Sequence, residues 1–287
     1  MDKFEAVRNM QEYIDNHINE RITLNDLANV SLYSPWHSYR IFNEILGLTV
    51  SDYIRRLRLS KSALRLRDEK IKILDIAYEY GYDSVDGYQR AFHKEFMMNP
   101  YEYLKNPVPI CLFIPYRKYD QKEKIKMSNV NNVFVSIVEK PERKVIIKRG
   151  VKADNYMDYC NEVGCDVWGI LSSIKSISGE PVCLWLPKHL IKVETSEYVQ
   201  GVEVASDYSG IVPEGFEIIT LPKATYLQFN GEAFNEESYC EAIEALWQAM
   251  DKYNPANIGY KWDNTNPRIQ LEPIGERGYI ELKAICK

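Results

Sequence analysis

Two sets of side chains recur along the chain at one-face helical spacing. Trp36, Tyr39, Arg40 and Asn43 form the first; Val85, Asp86, Gln89 and Arg90 form the second. Residues three or four apart in a helix share a face. Guanidinium, amide and carboxylate groups on one helical face can hydrogen-bond the edges of bases in a duplex major groove. An isolated set of this kind is weak, because an exposed arginine is most often simply solvated. Two sets in register are harder to obtain by accident.

The elements that must carry them repeat as well. Leu24-Asn25-Asp26-Leu27-Ala28 returns as Ile73-Leu74-Asp75-Ile76-Ala77, and Tyr33 as Tyr82. After one inserted residue Ser34 meets Ser84, Arg40 meets Arg90, Phe42 meets Phe92 and Tyr53 meets Tyr103. Each copy reads as a short helix, a tight turn and a second helix, the spacing of a helix-turn-helix. Thr23 with Asp26 and Thr49 with Asp52 are capping-box patterns. Ser34-Pro35 and Asn99-Pro100 are cap-plus-proline starts, Ser84 or Asp83 caps the later helix, and Gly47 is a helix stop. Leu24, Leu27 and Ala28 are expected to form the apolar face of the first short helix.

Between the copies, TVSDYIRRLRLSKSALRLR (49–67) predicts one long helix with Ile54, Leu57, Ala63 and Leu64 buried. Arg55, Arg56, Arg58, Lys61, Arg65 and Arg67 cover its remaining surface and supply a local positive field. Arg55 joins Ser34 and the two helical sets as a candidate DNA-contacting residue. A rigid connecting helix would hold the two second helices ~34 Å apart, one turn of duplex.

Residues 1–105 closely resemble the DNA-binding domain of the AraC/XylS family of bacterial transcription regulators. SPWHSYRIF (34–42), YIRRLRLSKSALRL (53–66) and ILDIAYEYGYDS with QRAFHKEF (73–96) carry the resemblance. It implies that Trp36, Tyr39 and Arg40 reach one major groove and Val85, Asp86, Gln89 and Arg90 the next. It also implies promoter DNA and RNA polymerase as partners, and activation rather than repression. Tyr39 stands where many members carry Gln, and Val85-Asp86-Gly87 replaces a commonly polar run. Asp86 would repel phosphate but could accept from a cytosine amino group.

Composition bounds the alternatives. With 45% hydrophobic and 27% charged residues, the 287-residue chain reads as a soluble protein of two or three domains. A net charge of −5 would not by itself suggest nucleic acid, and acids and bases nearly balance within residues 1–110. No apolar run reaches membrane-spanning length, and MDKFEAVRN shows no signal-peptide core. Cys111, Cys160, Cys165, Cys183, Cys240 and Cys286 lack metal-finger spacing and read as reduced thiols of a cytoplasmic protein. No metal, cofactor or membrane is expected, nor any enzymatic activity, and two reading heads on one chain need no dimer.

Residues 2–19 predict an amphipathic helix. NPVPICLFIPY (106–116) has too many prolines for a regular element and is expected to leave the helical domain extended. Polar RKYDQKEKIKMSNV (117–130) completes a linker over 106–130. From 131 to 287 alternating apolar residues predict strands, interrupted by helices near 155–173 and 235–252, an α+β domain. This half repeats too: Val135-x-Ile137…Pro141…Gly150 matches Phe216-x-Ile218…Pro222…Gly231. Each copy reads as strand, turn, strand, then a helix bearing Trp168 or Trp247, then two strands. A groove between such halves would suit a ligand. Trp168, Trp185, Tyr226, Trp247 and Trp262 are candidates to line it. Gln270 and Glu272, expected on one strand face, add polar groups. Packing is the blander reading of each aromatic.

Residues 131–287 resemble the GyrI-like effector-binding domain, through the duplicated architecture, the Trp-bearing helices and PRIQLE before a final strand. The resemblance implies a small amphipathic, often cationic effector. Gln270 falls where many members place a Glu, which puts cation preference in question. The fold class expected is multidomain, an all-α double helix-turn-helix followed by a duplicated strand-helix-strand-strand domain. A hydrolase using Glu272 to activate water, or a protein-interaction module, stand as alternatives for the second half.

Overall fold

The structure is a computed structural model. It describes residues 2–115, 132–235 and 238–287. The chain divides into two compact units, Met1–Glu123 and Lys124–Lys287. The polar stretch 117–130 expected as a linker lies outside the described residues, as do Glu236 and Glu237.

The first unit is helical: α1 (Lys3–Asn16), α2 (Leu24–Ser31), α3 (Pro35–Leu46), α4 (Val50–Asp68), α5 (Ile73–Glu79), α6 (Val85–Phe96) and α7 (Pro100–Lys105). The local start signals operate as read. Thr23 and Asp26 close a capping box, and Ser34, Thr49, Ser84 and Asn99 each accept from a backbone N–H of the following turn. Ser84 rather than Asp83 caps α6. α4 serves two cores. Val50, Tyr53 and Leu57 pack with α1–α3, while Leu59, Ala63 and Leu66 pack with α5–α7. Leu24, expected on the apolar face of α2, is instead exposed at the first helical position.

Residues 107–115 form neither helix nor strand, as their prolines require. They do not leave the unit. Ile110 and Leu112 are buried in the second core. The Phe113 N–H donates to Ser60 Oγ at 2.8 Å, and its ring lies edge-on to Tyr53 and under the Arg56 guanidinium. The apolar residues between the prolines find a wall along α4, which periodicity could not show.

The second unit contains β1 (Val133–Lys140), β2 (Arg143–Arg149), α8 (Tyr156–Val163), α9 (Asp166–Ser173), β3 (Val182–Trp185), β4 (Tyr198–Ala205), β5 (Glu217–Leu221), β6 (Ala224–Gly231), α10 (Tyr239–Lys252), β7 (Lys261–Trp262), β8 (Arg268–Gln270) and β9 (Ile280–Cys286). The strand order is β1-β6-β9-β8-β3-β4-β2-β5, with β7 added to β9. Exchanging the two halves of the repeat turns this order into its own reverse, so the sheet carries an approximate twofold between β3 and β8.

The expected strand–turn–strand is not a hairpin. β1 pairs with β6 and β2 with β5. Val133 faces Gly231, Lys140 faces Ala224, Arg143 faces Leu221 and Ile147 faces Glu217. The register therefore passes from β1 to β2, and from β6 to β5, without a slip. Pro141 and Pro222 interrupt one long antiparallel ladder, because a proline gives no N–H to it. Each half lends its first strand to the other, and Val145, Leu184, Tyr226, Ile269 and Leu282 meet in one shared core.

Candidate nucleic-acid interface and candidate ligand site

In α3 the exposed face is that expected. Trp36 is 73% exposed and stacks on Tyr39 with ring centroids 5.9 Å apart. Arg40 and Asn43 are exposed, and Arg40 Nη2 lies 3.0 Å from His37 Nδ1. Tyr39 is half-buried against the first core. In α6, Asp86 and Arg90 are exposed and Gln89 is half-buried. Val85, expected on the free face, is partly taken up by the second core. Its branched apolar side chain packs inward from the first turn. Behind each face the equivalent buried residue differs. Ser38 Oγ lies 2.7 Å from Ser31 Oγ, whereas Tyr88 Oη lies 2.9 Å from Ser62 Oγ. Burial pushes the Tyr88 hydroxyl well above the usual phenol range, so it stays a neutral hydrogen-bonding group.

The basic surface expected of α4 is paired internally. Arg55 and Arg56 converge on Glu95 of α6, at 2.9 and 2.7 Å. Arg58 Nε donates to the Ile18 carbonyl at 2.8 Å, Lys61 pairs with Asp15 at 2.6 Å, and Arg65 joins Glu69 and Glu79. Arg67 pairs with Asp68. Arg55 is thus a brace between α4 and α6 rather than a free cation. Asp52, one turn back, lies 3.6 Å from it, but its closer partner Glu95 is forty residues away, beyond any helical spacing rule.

In the second unit the candidates separate. Trp168, on α9, is buried edge-on to Tyr156 in the core that also holds Cys183 and Tyr198. Tyr226 is fully buried on the opposite sheet face, where its hydroxyl accepts from Arg143 Nη2 at 3.3 Å. Its place is the shared core, not a common site with the tryptophans. Trp262 packs near α10, with Lys283 Nζ 4.4 Å from its ring centroid. Glu272 lies past the end of β8 and is exposed, and its backbone N–H donates to Glu180. β8 ends at Gln270, so Glu272 stands beyond the strand, although Leu271 between them still packs on the shared core as alternation predicts.

What does come together was only partly foreseen. On the face under α9 and α10, register places Gln200, Cys183, Gln270 and Glu281 side by side across β4, β3, β8 and β9. Glu281 is fully buried. It accepts from Trp247 Nε1 and Arg268 Nε, each at 2.5 Å, and from the Tyr279 hydroxyl. Arg268 lies between two indoles, 4.5 Å from the Trp185 centroid and 5.3 Å from that of Trp247. Burial raises the Tyr279 hydroxyl far above its ordinary range and pushes the Cys183 thiol up to about 12, so both are neutral near pH 7. Trp185, Trp247 and Arg268 remain partly exposed at the mouth of this cluster. Glu281 could have been found. Tyr279-x-Glu281 repeats Tyr198-x-Gln200 in the second half, and alternation turns both pairs to one face.

Comparison with known proteins bears on the helical unit. A family model described as a helix-turn-helix domain matches residues 27–106. The right origin-binding protein of Escherichia coli is 37% identical over 107 residues, 37% of this chain and 37% of that protein. The probable transcription factor PqrA of Proteus vulgaris is 40% identical over 88 residues, 31% of this chain and 72% of that protein. The regulatory protein SoxS of Salmonella typhimurium is 34% identical over 103 residues, 36% of this chain and 96% of that protein. The match thus spans little more than a third of the first relative and nearly all of the last. With its two capped helix-turn-helix units and this likeness, the chain belongs to the AraC family of DNA-binding transcription regulators.

Proposed function

We propose that the chain regulates promoters by reading two successive major grooves with α3 and α6, under the control of a small molecule bound in the sheet unit. The observation that carries the first half is the matched exposure of the two helices. Trp36 and Arg40 on α3, and Asp86 and Arg90 on α6, are solvent-facing at equivalent positions, with Tyr39 and Gln89 half-exposed beside them and Asn43 exposed on α3. The 19-residue α4 is about 28 Å long, close to the rise of one duplex turn. With the α4 cations paired internally, base contacts rather than a broad positive field would carry recognition. RNA polymerase contact and activation are part of this reading, by resemblance to the family.

The second half rests on the Glu281–Arg268–Trp247 cluster, a polar centre walled by aromatic rings and open on one side. This is a common composition for small-molecule sites, and the resemblance to GyrI-like domains points the same way. The domain limits 1–105 and 131–287 belong to this proposal, with residues 106–115 assigned to the helical unit.

The test uses the full chain and duplexes selected by it from a random pool. Arg40→Ala should weaken binding about tenfold or more, the loss of a bidentate base contact being worth ~1–3 kcal/mol. Unchanged affinity would remove α3 from the interface. Arg55→Gln should act mainly through folding and leave the sequence preference intact.

A further inference from the structure

Two of the unmet polar groups at the sheet cluster are N–H donors, with the Tyr198 hydroxyl able to donate beside them, and donors select a ligand class. This step rests on the ligand-binding reading above. Three donors already converge on the buried Glu281 carboxylate: the Trp247 indole, the Tyr279 hydroxyl and Arg268 Nε. A carboxylate has about four lone-pair sites. The cation position between Trp185 and Trp247 is filled by the protein's own Arg268, so a cationic ligand would have to expel a guanidinium from two aromatic faces and an ion pair. Arg268 gives one N–H to Glu281, and its Nη groups have no protein acceptor among the described residues. Its side chain is 31% exposed.

A second donor stands open nearby. Gln200 Nε2 is buried without an acceptor, on a side chain 1% exposed. An unsatisfied buried donor costs roughly 1–3 kcal/mol, which a ligand acceptor would recover. Gln200 lies two strands from Gln270 through Cys183, roughly 10 Å at ordinary strand spacing. Arg268 is two residues before Gln270 on the same face. Trp185 sits between Arg268 and Tyr198 across the same strands, its ring 5.0 Å from that of Tyr198.

We infer that this site binds a planar aromatic carboxylate. The carboxylate takes the two free Nη groups of Arg268 in the fork geometry that guanidinium groups favour. The ring system lies outside Arg268 against the partly exposed edges of Trp185 and Trp247, and an acceptor at the far end meets Gln200 Nε2. Glu281 is not a ligand group here. It orients Arg268 and cancels its charge in the free protein.

The experiment is calorimetric titration of the full chain with two probes of one shape and opposite charge, 2-naphthoate and 2-naphthylmethylammonium. Naphthoate should bind saturably and about tenfold or more tighter than the ammonium, as charge-assisted bidentate pairing predicts. Arg268→Gln should remove that preference or reverse it, because Glu281 is then unpaired. Arg268→Lys, which keeps the charge and loses the fork, should fall between. Tighter binding of the ammonium by the parent chain overturns this inference and leaves a ligand-sensing unit in place. Heat from neither probe overturns both. The parent comparison decides the matter even if a variant does not fold.

Discussion

Both units arose as a pattern used twice, yet the copies stayed apart in one and merged in the other. In the helical unit each copy keeps its own core, and α4 feeds both from opposite ends. In the sheet unit each copy gives its first strand to the other, and a single core holds residues of both. The cause is the hydrogen-bonding habit of the element. A helix satisfies its backbone internally, so a duplicated helical motif needs only apolar contact. A strand leaves a row of donors and acceptors open, and the second copy is the nearest partner of matching length.

The sharpest way to break this comparison is through ion pairs. Arg143 and Glu203 are both fully buried in the shared core, 2.5 Å apart, with Lys140 beside them and Tyr226 of the other half on the guanidinium. Glu203→Ala leaves Arg143 buried and unpaired, which should cost ~3–5 kcal/mol. Glu95→Ala leaves Arg55 with only Asp52 and removes the Arg56 ion pair, both arginines being about a third exposed, and should cost about 1 kcal/mol. Urea denaturation separates the two. Tryptophan fluorescence reports mainly the sheet unit, with Trp168, Trp185, Trp247 and Trp262, and far-UV ellipticity at the helix band reports mainly the other. Similar losses would show that the sheet halves share less than their core suggests. Burial alone would raise the Glu203 carboxyl, but Lys140 and Arg143 outweigh it and hold it below the usual range. A depressed folded value adds stability that is complete above the unfolded value of 4.5 and fades as pH falls through the folded one. Glu203→Gln should therefore flatten the acid limb of the sheet unit's stability below pH 4.5.

These differences also decide what could be read in the chain beforehand. Caps and turns act over three or four residues, so Thr23, Ser34, Thr49, Ser84 and Asn99 were legible one by one. The exposed faces of α3 and α6 followed from the same local period, apart from Val85. Partners distant in the chain were not legible. Nothing near Arg55 announces Glu95, and nothing near Val133 announces Gly231. The ligand candidates suffered most, because alternation fixes which face a residue takes but not which strand lies beside it. Tyr226 was therefore grouped with tryptophans that lie on the other sheet face, and Glu281 was missed.

Within the helical unit the two copies differ where the backbone turns left-handed. Leu32 and Gly81 hold equivalent turns at φ 53° and 76°; Gly47 and Met97 hold equivalent helix ends at 70° and 58°. Each copy thus has one glycine and one side-chain-bearing residue in a conformation that disfavours a Cβ by ~1–2 kcal/mol. Gly81→Ala should cost about 2 kcal/mol or more, since its Cβ would also lie 2.7 Å from the Arg58 guanidinium that anchors the Ile18 carbonyl. Gly47→Ala has open space and should cost less. Leu32→Gly and Met97→Gly should each stabilise by about 0.5–1 kcal/mol, because both side chains are more than three-quarters exposed and bury little. A loss at either position would show that the copies are less alike than their dihedral angles.

The smallest difference is the start of the first helix in each copy. α2 opens with the Thr23–Asp26 box, whereas α5 opens at Lys72, which makes no side-chain cap although Asp75 stands at the third helical position. The Lys72 backbone is already extended, at φ −80° and ψ 142°. Lys72→Thr should complete the box and stabilise the unit by about 0.5 kcal/mol, the low end for an exposed cap. Its pH dependence gives the diagnostic. In α2 the hydrogen bonds from the Thr23 hydroxyl and N–H hold the Asp26 carboxyl below its ordinary range. A completed box should do the same to Asp75. The carboxylate's share of the gain would be full at neutral pH and fade as pH falls through the depressed value, whereas the bond from the Asp75 N–H to the threonine hydroxyl survives acid. A gain that does not change with acid would show that only the hydroxyl half of the box forms, and that Asp75 does not close it as Asp26 does in the first copy.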